Sequence, residues 1–325
     1  MPKLSYSQIN TINADLKNMS KVTVGIPTLL RKSLHKTLRA LIEQTEDDFD
    51  VIITYRGNLT REFEQYEKML NIKFIEQKEG LFEEALNLIL ENAKGEILIT
   101  TDDDAIPSRD WVKDHLRFHE ERRDVGILSG KIIGRMWVNY PNTLYERLKG
   151  TKYMEEYSPV FKDYKAYLTK TGFSVDREVG YGKSIAIAGV NMSLKREVYS
   201  RFRILPYSLR GSYNESYLAV GAIKLGYISM KAEIAEVTHL DEDSLSRPKK
   251  EEWKLRLEKF TSPYMFNFLL PIDVELLKEM LNIVEDDVER LGISLAIEGI
   301  ENKLPPHKFR ERLREIIEGG NMHKG

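Results

Sequence analysis

The chain has 325 residues, enough to bury a substantial core as one large domain with an appendage. Lys and Arg number 49 against 51 acidic residues, and the net charge of −2 gives no global attraction to nucleic acid or to an anionic membrane. There is no cysteine, which excludes disulfides, thiolate metal sites and a cysteine nucleophile. The opening MPKLSYSQIN lacks a secretory signal pattern and no segment reaches the ~20 apolar residues of a membrane span, so a cytoplasmic protein is expected. Charged residues make up 31% of the chain and the only glutamines are Gln8, Gln44, Gln65 and Gln77, a balance resembling proteins from hot environments.

In chain order, KVTVGIPT at 21–28 predicts a strand, followed by a helix carrying Leu34, Leu38, Leu41 and Ile42 on one face. DFDVIITYRG at 48–57 repeats the strand pattern, 60–70 is helical, and NIKFIEQ at 71–77 is a third strand. Gly80 opens a helix with Leu81, Ala85, Leu88 and Ile89 at helical spacing; EILIT at 96–100 is a buried strand, and a helix follows from Ser108 to Arg123. This alternation predicts an α/β fold with a largely parallel sheet and helices on both faces.

Residues 125–135 read as a further strand, and 137–182 as an insertion with seven tyrosines: Tyr140, Tyr145, Tyr153, Tyr157, Tyr164, Tyr167 and Tyr181. Their rings either glue an irregular segment to its domain or offer flat surfaces to a ligand, and packing is the favoured reading. A strand or strand-turn around Ile185 to Leu194 leading to a helix, a second helix from Asn214 to Leu225 and a strand from Tyr227 to Thr238 ending at His239 follow. Beyond Pro248 charged helices are expected near 249–260, 273–291 and 305–318. The resulting division is an N-terminal extension (1–20), a main α/β domain (21–245) and a C-terminal helical segment (246–325). The apolar stretch 264–271 of that segment is expected to dock on the domain, with a dimer contact or peripheral membrane contact at the inner face as alternatives.

The run Asp102-Asp103-Asp104 leaves the strand at 96–100 at its carboxyl end, where open α/β sheets hold ligands. In extended backbone Asp102 and Asp104 project to one side, roughly 7 Å apart, and Asp103 to the other. Two readings stand on the residues alone: a solvated acidic turn, or hard oxygen ligands for a divalent cation.

The ordered set VGIPTLLRKSLHKTLRALIEQT, GLFEEALNLILENAKGEILITTDDDAIPSRDW, GVNMSLKREVY, NESYLAVGAIKLGY and AEVTH resembles glycosyltransferases of family 2, with the GT-A fold, over roughly residues 21–240. The resemblance implies a Rossmann-like sheet and a nucleotide-diphospho-sugar donor. Pro27, Thr28 and Arg31 match the end of the first strand, Gln44 and Thr45 the end of the first helix, and Gly80, Ala85 and Asn87 the pattern Gly-x-x-x-x-Ala-Arg-Asn. Asp102 to Asp104 stand as the Asp-x-Asp motif, Gly189, Asn191 and Met192 as the segment beneath the donor, and His239 as a histidine completing the metal site. The expected metal ligands are therefore Asp102, Asp104 and His239, with Mg²⁺ or Mn²⁺. The expected donor-binding residues are Pro27, Thr28, Arg31, Tyr55, Asn87, Asp102, Asp103 and Asn191.

Three positions depart from the family pattern. Tyr55 and Arg56 stand where Asp residues usually meet the nucleobase, Leu86 replaces an Arg, and Asn214-Glu215 replaces Glu-Asp. Counting back from Gly226-Tyr227 puts Glu215 on the general-base position of an inverting transfer to an acceptor hydroxyl. The acceptor class stays open between glycan, lipid-linked and small-molecule hydroxyls. A sugar-nucleotide or glycan binding protein of the same fold is the rival reading, and a nucleotidyltransferase is disfavoured because PTLLRKS, not a Gly-rich loop, follows the first strand.

Overall fold

The structure, a computed structural model, describes residues 20–134, 138–240 and 251–319. The expected N-terminal extension, apart from Ser20, and the boundary between catalytic domain and tail at 245/246 lie outside the described residues.

Strands β1 (Val22–Thr28), β2 (Phe49–Tyr55), β3 (Ile72–Glu76) and β4 (Ile97–Thr100) are parallel, with β1 between β2 and β4. Every residue of β1 is buried, as a strand covered on both faces requires. Gly25 is needed there because a β-carbon would stand 2.4 Å from Cγ2 of Ile89, on the helix Phe82–Asn92. Thr28, Tyr55 and Glu76 end their strands side by side and form one lip of the sheet.

The remaining strands of the large sheet are β6 (Val125–Ser129), β10 (Gly182–Lys183), β11 (Met192–Lys195) and β12 (Ile228–Lys231), and the spatial order is β10-β12-β6-β11-β4-β1-β2-β3. The sheet is thus mostly parallel, as expected. Its exceptions are β11, antiparallel to both β4 and β6, and β10, antiparallel to β12.

Several expected elements are shorter or divided. The strand read over 125–135 splits into β6 and β7 (Ile132–Ile133), and that over 227–238 into β12 and β13 (Val237–His239), with Ala235 at φ 50 between the latter two. With β5 (Ala105–Pro107), β7 and β13 form a separate three-stranded sheet, and β8 (Ala166–Leu168) pairs antiparallel with β9 (Ser174–Asp176) in a two-stranded one. Of 185–194 only the end is strand, preceded by a 3₁₀ turn at Gly189–Asn191. The helix read over 273–291 is two, Val274–Leu281 and Asp287–Glu301, because the Asp286 carboxylate accepts from the amides of Val288 and Glu289 and starts a new helix.

The tyrosines of 137–182 follow the packing reading. Tyr140, Tyr164 and Tyr167 are buried, Tyr145, Tyr153 and Tyr157 pack against the same core, and Tyr181 is exposed. The C-terminal helices join this core too: Leu257, Phe260, Tyr264, Phe266 and Phe309 share it with Tyr207, Tyr213 and Tyr217. Tyr264 stacks on Phe309 with centroids 3.8 Å apart. The stretch 264–271 is therefore largely spent in docking, with Phe268 left 46% exposed. Among the described residues no helix is long and apolar enough to cross a membrane.

Candidate active site and metal centre

Beyond Thr100 the chain turns at the lip of the sheet, so the three aspartates lie in a turn and not, as expected, in extended strand. Asp103 faces inward. Thr28 Oγ1 donates to its Oδ2 at 2.6 Å, Arg31 Nε to the same oxygen at 3.2 Å, and Arg31 Nη2 to Oδ1. Burial lifts the Asp103 pKa above the usual carboxylate range, against the bonds from Arg31 and Thr28 and the Arg31 charge, with Asp104 adding to the rise. Arg31 also reaches Asp104, Nη1 to Oδ2 at 3.6 Å.

Asp102 and Asp104 both approach His239. β13 pairs with β5 so that His239 lies opposite Ala105, the residue after the acidic run, and the amide of Leu240 donates to the Asp104 carbonyl at 2.8 Å. His239 Nε2 is 3.3 Å from Asp104 Oδ1 and 3.6 Å from Asp102 Oδ2, and ligand atoms of all three residues lie within 4.8 Å of one another. Burial opposes a charge on His239, but its bonds to the two carboxylates and their charges prevail and raise its pKa to about 9. Two carboxylates and an imidazole converging in this way suit a divalent cation with hard or borderline preferences.

Glu215 enters from the helix Asn214–Lys224, which begins after Tyr213 in the left-handed region at φ 61. Its carboxylate lies against Gly189, where a β-carbon would stand 2.4 Å from Oε1. The Gly189 carbonyl in turn accepts from Thr100 Oγ1 at 2.8 Å, so Glu215 abuts the strand end from which the aspartates depart. Burial raises its pKa to about 7; its own amide and Lys259 lower it, and Asp102 raises it.

Other residues singled out from the sequence use their polar atoms within the protein. Asn191 is fully buried: its amide donates to the carbonyls of Lys131 at 2.8 Å and Ala235 at 2.6 Å, and its oxygen accepts from Trp111 Nε1 at 2.8 Å and His115 Nε2 at 2.8 Å. Asn87 exchanges both bonds, each 2.8 Å, with the backbone of Ile204. Gln44 and Thr45 hold the loop after β5, through the Ser108 carbonyl, the Val112 amide and the Asp110 carboxylate. Pro27 is buried, and Tyr55 is half-buried with its ring edge-on to Phe74.

Sequence reasoning passed over His115 and His119. Both are buried and bonded to Ser193 Oγ, and burial depresses their pKa values to about 4 and about 3, so they are neutral structural imidazoles. It also missed Glu258 and Lys259. Glu258 accepts from the amides of Leu209 at 2.9 Å and Arg210 at 3.2 Å and from Ser212 Oγ at 2.5 Å, tying the tail to the loop that leads into Tyr213. No motif marks either residue; only their burial in the assembled core does.

Residues 23–199, more than half of the chain, match the family model of glycosyl transferase family 2. The chain belongs to glycosyl transferase family 2. Among solved structures this glycosyltransferase is similar to the mannosyltransferase PcManGT from Pyrobaculum calidifontis, in complex with GDP-Man and Mn²⁺, at 16% identity and a TM-score of 0.50, over 92% of this chain and 85% of that one. S. aureus TarS 1-349 in complex with UDP-GlcNAc aligns at 14% identity and a TM-score of 0.49, over 93% of each chain. No curated protein matches the sequence. The family 2 glycosyltransferase thus has the GT-A arrangement of a large, mostly parallel sheet flanked by helices.

Proposed function

We propose that this glycosyltransferase moves a hexose from a nucleoside diphosphate to an acceptor hydroxyl with inversion, using Glu215 as general base. The observation that carries the reading is the meeting, at one sheet edge, of the Asp102, Asp104 and His239 cluster with a carboxylate whose pKa lies near 7. Glu215 takes the acceptor proton as the hydroxyl oxygen bonds to the anomeric carbon; the bond from that carbon to the diphosphate breaks, and its electron pair leaves with the nucleoside diphosphate. A group with a pKa near the working pH is well placed for such a transfer.

Asp102, Asp104 and His239 would hold Mg²⁺ or Mn²⁺, which when bound offsets the negative charge that develops on the leaving diphosphate. Arg31 neutralises Asp103 and also reaches Asp104 Oδ2 at 3.6 Å, so Asp104 is shared between the guanidinium and the cation while Asp102 is left to the cation. Thr28, Asn87, Asp103 and Asn191 then act on the donor through the backbone they position, and Pro27 shapes the lip. Tyr55, at the end of β2, supplies a ring on which the nucleobase stacks in place of the usual Asp contacts.

GDP-mannose with Mn²⁺ is the first donor and metal to try, since the mannosyltransferase above binds them. The test is a panel of nucleotide sugars with and without Mn²⁺, read by thermal shift and by release of nucleoside diphosphate. Metal-dependent release that Glu215→Gln abolishes supports the proposal. Tight donor binding with no release, even with varied acceptors, assigns the fold to a binding protein instead.

A further inference from the structure

Lys259 ends the helix Glu252–Lys259 beside the proposed base, and it is only 8% exposed. Its ammonium lies 4.3 Å from the centroid of the Tyr213 ring. Among the described residues it makes no hydrogen bond and no ion pair. An ammonium carries three donors, and beyond its contact with the Tyr213 ring none of them is bonded within the described residues, so a ligand can take them.

The carboxylates within electrostatic reach of it are Glu258 and Glu215. Glu258 is already committed to Leu209, Arg210 and Ser212, and Glu215 is turned against Gly189. If Lys259 served only as the counter-ion of Glu215, a direct pair would be the economical arrangement, yet none forms among the described residues. Backbone strain at the same place has a purpose to serve: Tyr213, a bulky residue, is held at φ 61, and its hydroxyl is anchored on Asn139 Oδ1 at 2.7 Å. Ring and ammonium together form a fixed wall next to Glu215.

We propose that Lys259 binds an anionic group of the acceptor, a phosphate or a carboxylate, a few atoms from the hydroxyl that Glu215 deprotonates. The proposal rests on the transferase reading for the word acceptor; the anion site itself does not. Burial lowers the Lys259 pKa, with Glu258 and Glu215 acting against that, and an incoming anion would reinforce the charge.

The experiment uses the full chain in EDTA, so that no anion is drawn to a metal, at constant ionic strength. Glycerol 3-phosphate, glycerate and glycerol are titrated calorimetrically into the wild type, Lys259→Met and Lys259→Arg. Expected are binding of at least one of the two anions over glycerol, loss of about tenfold or more in Lys259→Met, and substantial retention in Lys259→Arg. Whichever anion binds names the acceptor's charged group.

Loss in Lys259→Met counts only where its melting curve shows a folded chain; unchanged anion binding by Lys259→Met overturns the proposal, as does failure of both anions to bind the wild type. A Lys259→Met enzyme changed only in its pH profile makes the residue a counter-ion and likewise overturns it. Loss of anion binding in a chain that never releases nucleoside diphosphate keeps the anion site and removes the transferase reading, so the two fail separately.

Discussion

The Glu215 carboxylate rests on the bare α-carbon of Gly189, the space of one methyl group being what admits it. Gly189→Ala should displace a flexible side-chain end, not backbone, and so leave the melting temperature within a few degrees while moving the base. Because positioned proton transfer is typically worth about 10²–10⁴ in rate, kcat is expected to fall at least tenfold. Steady-state kinetics beside a melting curve checks this; a variant with wild-type kcat would separate Glu215 from catalysis.

Glu215, with a pKa of about 7, must be ionised to accept a proton. Activity should therefore rise with pH and level off above about 7, with a slope of one on the acid side. Glu215→Gln is expected to lose about 10²–10⁴ in kcat and to flatten that limb. A pH–rate profile of the variant that keeps both the rate and the limb would refute the assignment.

If Asp102, Asp104 and His239 hold the cation as proposed, its binding competes with a proton on His239, whose pKa of about 9 lies above neutrality. Between pH 6 and 9 the affinity for Mn²⁺ should climb by up to about tenfold per unit, since one proton is displaced, and then flatten. Calorimetry in two buffers of different ionisation enthalpy measures the released proton directly. Asp104→Asn is expected to weaken Mn²⁺ binding by about tenfold or more.

Arg310, near the C-terminus, pairs with Glu83 at 3.2 Å and with Glu84 at 2.6 Å and so clamps the tail to the helix Phe82–Asn92. Arg310→Leu strands the buried Glu83 and should cost about 3–5 kcal/mol in denaturant unfolding.

Glu83 has its pKa raised from 4.5 to about 7, chiefly by burial, with Arg310 and Ser208 acting against the rise. Being raised in the folded state, it contributes stability that is complete below pH 4.5 and is lost as pH rises through 7. Glu83→Gln, which imitates the protonated form, should gain on the wild type by on the order of 3 kcal/mol between pH 5 and 8. Paired unfolding titrations at the two pH values provide the check; a constant difference would mean Glu83 does not titrate in this window.

The sheet was legible because β1, β2 and β4 are continuous apolar runs bounded by turn formers, and the candidate cation site because the acidic run Asp102 to Asp104 follows β4 directly. The small sheet of β5, β7 and β13 was not, since strands of two or three residues leave no periodic trace and their pairing depends on a break at Ala235. Asn191 stood out by position, but its four bonds to Lys131, Ala235, Trp111 and His115 depend on contacts far apart in the chain. Lys259 was hidden for the same reason: a charged residue at the end of a charged helix looks like any solvated surface lysine until the fold closes over it.

Strand β11 fills the gap between β4 and β6, yet the entire tyrosine-bearing stretch is made before it. On the ribosome, the earlier strands consequently wait with two facing edges unpaired until residue 195 has cleared the exit tunnel. A nascent chain halted short of that point offers those edges to other chains, and β12, made later still, is the strand that brings in β10 and completes the sheet.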